Sequence, residues 1–383
     1  FAQSPAPTTV KISTEATRVA QVQTIVFSAD LITGNSVACS IDGAALTATP
    51  FNTSNAQTLT DLAAKIQATA GVSTAVSDGS HTITVTAQNA GVPVSISGVL
   101  VTSGASQATA TITTTTASHG IADDIAEVID VDDNWYWFLW NEQQKEYVEE
   151  AVQAIETLKK QYVSVSDDSG IVTTGDTANV AYFIKNGSYE RSRIFYHTDP
   201  TSFPDAAEVG KVSVYEPGAT QACYQELASI QADELSSSNV SALNTVQAFY
   251  YGTMGGRNVL IEPIRTDGKY QDTVRDRDYV ESYIQEQVSL FVINKAQSGE
   301  KIPFTQGGID MFEKQLRSSG DYLEKTRKVI TFEGIDEADR FVFPKIEDVS
   351  AADKAARTLN DVSMTCKLTS GIYKFNINGI ITS

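Results

Sequence analysis

The chain has 383 residues, 42% hydrophobic and 20% charged, and its 28 Lys and Arg against 47 Asp and Glu leave a formal net charge of −19. That length exceeds one ordinary core and predicts two or three domains, while the lack of any run of about 18 apolar residues argues against a helical membrane span. The acidity argues against nucleic acid as a partner, because neutralising phosphates takes clustered Lys and Arg.

Cys39, Cys223 and Cys366 are odd in number and far apart. They read as free thiols, which suits intracellular assembly better than a disulfide scaffold. The first residue is Phe1 rather than Met, so residues ahead of it are expected.

Near the start, TTVKIS (8–13) alternates like a short strand, with Val10 and Ile12 on one face. Residues 21–118 then carry only five charged side chains, Asp30, Asp42, Asp61, Lys65 and Asp78, in a background of Thr, Ser, Ala, Val and Gly. HTITVTA (81–87) alternates Ile83 and Val85 against Thr82, Thr84 and Thr86, and VPVSISGVLV (92–101) and ATATITT (108–114) are similar. TLTDLAAKIQATAG (58–71) breaks the pattern with Leu59, Leu62, Ala63 and Ile66 at helical spacing and Gly71 as a stop. A small β-rich domain with one helix is the expectation.

From Ile121 onward helix and strand alternate. IADDIAEVIDV carries a helical stripe at 121, 125, 128 and 129; WYWFLW (135–140) reads as a buried strand. QKEYVEEAVQAIETLKKQ (144–161) is amphipathic, with Tyr147, Val148, Ala151, Ile155 and Leu158 inward and Lys159 and Lys160 near its C-terminal dipole end. YVSVSD (162–167) and RIFYHT (193–198) are further strands, a rhythm that argues for an α/β layer.

YYGTMGGRN (250–258) invites a phosphate-loop reading, but Arg257 and Asn258 stand where a Walker loop needs Lys-Ser or Lys-Thr. The spacing of Gly252, Gly255 and Gly256 also misses the dinucleotide fingerprint. With VLIEPI (259–264) next, the glycines read as a tight turn or bulge between two strands.

RDRDYVE (275–281) reads as an exposed helix start with weak local ion pairs. The helix it opens, Asp278–Asn294, puts Val280, Tyr283, Ile284, Val288, Phe291 and Val292 on one face. Thr305 caps the next helix, striped by Ile309, Phe312 and Leu316, and Ser350 with Asp353 starts AADKAARTL. The last clear strand is IYKFNING (372–379), with Tyr373, Phe375 and Ile377 on one face and Lys374, Asn376 and Asn378 on the other.

Candidate chemistry is sparse. Asp130, Asp132 and Asn134 match the first calcium-loop positions, yet Trp135 stands where glycine is required and Asn141 where glutamate is. His81, His119 and His197 lie in separate segments without zinc spacing. No Gly-x-Ser-x-Gly elbow is present and no carboxylate pair stands out. The expectation is no catalytic residue, no metal and no cofactor.

Ordered phrases give a resemblance. FAQSPAP opens the chain; LNTVQAFYYGTMGGRNVLIEPIRTDGKYQDTVRDRDYVESYIQEQV (243–288), KIPFTQGGID (301–310) and DVSAADKAARTL follow, before strands ending in NING. The chain resembles the contractile-tail sheath proteins of one group of myovirus bacteriophages over residues 1–20 and about 120–383. It departs from them at Phe304, where that family often has Tyr, and at Asp278-Tyr279, where a bulkier aromatic start is common.

The resemblance implies a mixed α/β multidomain fold (α+β or α/β). Its sheath core would be built from 1–20 and 119–383, with a subdivision near 200–240, and 21–118 would be an inserted outer β-rich domain. It further implies hexameric rings of the chain itself, stacked helically around a tail tube protein and bounded by baseplate and tail terminator. Terminal strands around Val10 and Ile12, and around Tyr373, Phe375 and Ile377, would join neighbours' sheets. Contraction from a metastable state would drive the tube through the host envelope for genome ejection. The expected location is the virion tail, assembled in the host cytoplasm, with no nucleic-acid contact and no membrane insertion. Other readings in play are a baseplate or tube-associated virion protein, an adhesin or glycan-binding module on the β-domain, and an α/β enzyme.

Overall fold

A computed structural model of the chain describes residues 3–102, 108–263, 270–369 and 371. They fall into two compact units, one of Lys11–Tyr136 and Trp140–Leu158, the other of Phe1–Val10, Trp137–Leu139 and Lys159–Ser383. The first unit thus takes in more chain than the charge-poor stretch 21–118, and residues 200–240 lie inside the second.

The first unit opens with strands β1 (Val22–Phe27), β2 (Ser36–Ile41), β3 (Ala44–Ala45) and β4 (Thr49–Pro50) and helix α1 (Asn55–Gln67). Strands β5 (Val72–Ser77), β6 (Thr82–Ala87), β7 (Ile96–Thr102) and β8 (Ala110–Thr116) follow. One antiparallel sheet has the order β5-β6-β1-β8, and a second gathers β3, β4 and β7 around β2. Ile25, Ile41, Leu59, Leu62, Ile66 and Ile83 meet in one core. The alternation in HTITVTA puts Ile83 and Val85 into that core and leaves Thr82, Thr84 and Thr86 outside it. Ser54 caps α1 by accepting the Gln57 N–H at 3.2 Å, and Gly71 beyond its end sits at φ +86°.

Val19 and His119 exchange backbone hydrogen bonds, at 3.0 and 3.3 Å, which clasps together the two ends of the stretch between them. Past the clasp come α2 (Ile121–Val131) and α3 (Lys145–Glu156). Glu150 on α3 accepts the Ala122 N–H at 3.3 Å, supplying a partner for one donor at the open N-terminus of α2.

The second unit centres on five strands in the order β13-β12-β11-β10-β9: β9 (Trp137–Leu139), β10 (Gln161–Ser166), β11 (Ser192–Tyr196), β12 (Phe249–Met254) and β13 (Arg257–Ile261). Strands β9 to β12 run parallel and β13 returns antiparallel. Every residue of β10 and β11 is buried, as a parallel sheet covered on both faces requires. The connections hold α4 (Val180–Asn186), α5 (Pro204–Val212) and α6 (Ser237–Val246).

WYWFLW corrects the expectation of a buried strand. Only Trp137–Leu139 pairs, at the sheet edge, with Leu139 37% exposed. At the other edge, Met254 and Arg257 pair around Gly255 (φ +59°) and Gly256 (φ +80°). Two successive positive φ angles are what a two-residue I′ hairpin turn needs, so the glycines of YYGTMGGRN make a turn.

Helices α7 (Gln271–Gln297) and α8 (Gln306–Asp321) follow, then β14 (Ile330–Thr331), α9 (Glu337–Arg340), β15 (Phe341–Val342), α10 (Ala351–Ala356), β16 (Ser363–Met364) and β17 (Lys367–Leu368). Helix α7 starts seven residues before the expected Asp278. Two short ribbons, β14 with β17 and β15 with β16, close the described chain. The helix pair and ribbons share a core of Val280, Leu316, Leu323, Val329, Phe332 and Phe341.

The phrase KIPFTQGGID is explained by its geometry. Thr305 caps α8 with its hydroxyl toward the Gly308 N–H at 3.4 Å, and the Pro303 carbonyl oxygen fills the place a Cβ on Gly308 would take. The expected outcome for Gly308→Ala is a loss of about 1–3 kcal/mol in unfolding free energy from this overpacking. Gly307→Ala, which meets only the Thr305 hydroxyl at 3.9 Å, should change little; urea melts of the two variants check the contrast.

Candidate functional site

In open α/β sheets a ligand crevice forms where strand order reverses. Here β9, β10, β11 and β12 are neighbours in chain order, so the parallel part has no reversal. His197, just past β11, is buried. Its Nδ1 lies 3.0 Å from the Asp199 N–H and its Nε2 2.8 Å from the Gln231 carbonyl, which fits an Nε2–H tautomer engaged on both sides by backbone. His81 lies 3.0 Å from Asp30 and also meets the Ser80 hydroxyl, and His119 lies 3.0 Å from Asp124, whose carboxylate also accepts the Ala16 N–H.

Among the described residues no group of three or more His, Cys, Asp or Glu is placed to hold a metal. Asp132 of the would-be calcium loop instead pairs with Lys11 and accepts the Asn134 N–H at 2.9 Å. A shallow depression lined by Ala181, Ile184, Lys185, Arg193, Val246 and Gln247 offers about 10 Å³, room for about one water and far below the roughly 300 Å³ at which ligand clefts begin.

The concentrated chemistry lies inside the second unit. Arg193 donates to Glu208 from Nε at 3.0 Å and Nη2 at 2.7 Å, and to Gln161 Oε1 from Nη1 at 2.9 Å. The Gln161 amide donates to the Gln271 carbonyl at 3.2 Å, and Glu262 accepts the Gln271 N–H at 3.2 Å. Arg191 grips Asp278 with both Nη atoms, at 2.7 and 3.0 Å. All of these side chains are buried. Burial pushes the Glu208 carboxyl up and that of neighbouring Asp205 up to about 6.

RDRDYVE is therefore corrected. Arg275, Asp276 and Asp278 are at most 8% exposed. Arg275 donates to the carbonyls of Val212 and Tyr215, and Asp276 accepts the Gly218 N–H at 2.7 Å. The residues face inward because α7 begins at Gln271, which makes 271, 274, 275 and 278 one buried stripe. A signal for the other pair was present in α5: Asp205 and Glu208 fall on the same i, i+3, i+4, i+7 stripe as Val209 and Val212. The hydrogen bonds these groups make go to the chain itself, which is the chemistry of a brace, while the buried Asp205 Oδ1, Glu208 Oε2 and Gln271 Nε2 make none among the described residues.

Among the described residues, 8–13 pair with no strand, with Val10 52% and Ile12 89% exposed. In the second unit, Gln3 holds Ala228 from both sides of its side-chain amide, at 3.0 Å to the carbonyl and 3.0 Å from the N–H. In the first, Arg18 lies 3.8 Å from the Tyr147 ring centroid and pairs with Glu142 at 2.9 Å and with Glu15. Tyr373, Phe375 and Ile377 lie outside the described residues.

Removing Asp278 strips a buried guanidinium of its bidentate partner, and Asp278→Ala should cost about 3–5 kcal/mol in denaturant melts. Burial raises the Asp276 carboxyl to about 7. The native state then binds the proton more tightly than the unfolded state, so the stability this group contributes is present at acid pH and is lost as pH rises through about 7. Asp276→Asn keeps an acceptor for Gly218 and removes the charge. It should raise Tm at pH 8, by about 2–4 °C for each kcal/mol relieved, and flatten the change between pH 5 and pH 8 in thermal melts. No protein-family model matches this chain, and no curated protein matches it either.

Proposed function

We propose that this chain is a structural subunit of a contractile phage tail sheath. It would polymerise as stacked hexameric rings around a tail tube, between baseplate and terminator, and contract without nucleotide to drive the tube through the host envelope. The resemblance carried by residues 243–288 and 301–310 supports the reading. The structural observation that carries it is the segment 8–13, whose apolar face is exposed and whose backbone meets no strand among the described residues.

Ordering six residues into a strand costs about 6–12 kcal/mol of backbone entropy. Burying Val10 and Ile12 returns about 3–6 kcal/mol, and ladder hydrogen bonds add about 1 kcal/mol each. The balance closes only if a sheet edge is supplied, and a neighbouring subunit supplies one by strand addition. The terminal strand expected around Tyr373, Phe375 and Ile377 would act in the same way. The Val19–His119 clasp supports reading 21–118 as a domain inserted into the core, since inserted domains have adjoining ends.

On this reading the work of contraction comes from subunit conformation, and the buried charge pairs keep each body rigid while its arms transmit the motion. Negative-stain microscopy of the purified full chain should show hollow cylinders. Deleting 372–383, or introducing Val10→Pro with Ile12→Pro, should leave the bodies folded and stop polymerisation. A full-length chain that stays monomeric at high concentration, or polymers that ignore both changes, would overturn the reading.

A further inference from the structure

Helix α7 is 27 residues long, about 40 Å at 1.5 Å per residue, but its buried residues end at Val280. From Glu281 to Gln297 no residue is buried. The first turn of this half is anchored by Glu281 on Lys159 at 2.6 Å and by Tyr283 stacked on Tyr322 at 5.2 Å, and further along Phe291 meets Phe312 of α8 edge-on at 5.4 Å. Away from that seam Leu290 is 41%, Val292 43% and Ile293 48% exposed, and α8 adds Met311 at 40%. Leu290 and Ile293 are three apart and share one helix face.

The charge on this hairpin departs from that of the chain. Glu281 is paired by Lys159 at 2.6 Å, and across residues 282–317 Glu286, Glu300, Asp310 and Glu313 balance Lys295, Lys301, Lys314 and Arg317. Lys295 pairs with Glu300 at 2.5 Å and Arg317 with Glu313 at 2.8 Å. Two copies of a chain carrying −19 repel when they approach with acidic faces. A neutral, apolar face is where they meet without that penalty.

We infer that the outer face of the α7–α8 hairpin, centred on Leu290 and Ile293, docks against a second copy of this chain. The inference rests on the sheath reading and adds to its strand exchange a contact between subunit bodies. Its size sets its role. A strip about 25 Å long and two helices wide covers about 500 Å², short of the roughly 800 Å² per partner of a stable complex. The hairpin contact is therefore weak alone and able to break and re-form, and it holds only where the arms already keep two subunits together.

The test is a concentration series of the full chain by sedimentation velocity and negative stain, with Leu290→Glu/Ile293→Glu, Leu290→Met/Ile293→Leu and Val10→Pro/Ile12→Pro. Both hairpin positions are solvent-facing, and circular dichroism should show unchanged helix content. The glutamate pair should raise the concentration needed for assembly by roughly tenfold or more, and the apolar pair should restore it. Cylinders that form normally with the glutamate pair but fail with the proline pair would overturn the hairpin contact and leave the sheath reading standing. A wild-type chain that stays monomeric would overturn both; were it then to bind neutral phosphatidylcholine vesicles through Leu290 and Ile293, the face would belong to a lipid surface.

Discussion

The second unit depends on buried charge. Arg191 and Arg193, two residues apart at the head of β11, reach Asp278 on α7 and Glu208 on α5. Burying such pairs adds little net stability, because desolvation consumes most of the attraction. What they add is geometry: a planar guanidinium satisfied by a carboxylate admits one arrangement, where a greasy contact admits several. Arg193 also lies 5.3 Å from the ring centroids of both Trp137 and Phe249, so three strands and one helix converge on a single cation.

That brace divides the unit by rigidity. The strands and the first ten residues of α7 are held by buried polar contacts and an apolar core, while no residue of α7 beyond Val280 is buried. Local stability follows the density of buried contacts. The same polypeptide thus offers a stiff body and outlying pieces with little to hold them, and on the sheath reading this is the division of labour a subunit needs.

The charge-poor stretch follows a different logic. Its two sheets and single helix share one core, and threonine is the commonest residue at its exposed positions among those described. β-Branched residues suit a pleated surface whatever its charge, so this part can be nearly free of Asp, Glu, Lys and Arg. The acidity of the chain is concentrated elsewhere.

Features set by neighbours a few residues away could be read without the fold. The alternation of Ile83 and Val85 needs only the strand period, the Gly255-Gly256 turn only the φ preferences of two glycines, and the caps at Thr305 and Ser350 only the adjacent N–H groups. The mixed α/β class follows from the same local rhythm. Tertiary structure alone decided which charged residues are interior. Asp278 finds Arg191 87 positions away, and no local pattern at RDRDYVE announces that partner. It likewise decided that WYWFLW is a half-exposed edge and that Leu290 and Ile293 face outward. Burial depends on what the rest of the chain brings alongside, and a helical stripe shows which residues share a face without showing whether anything covers it.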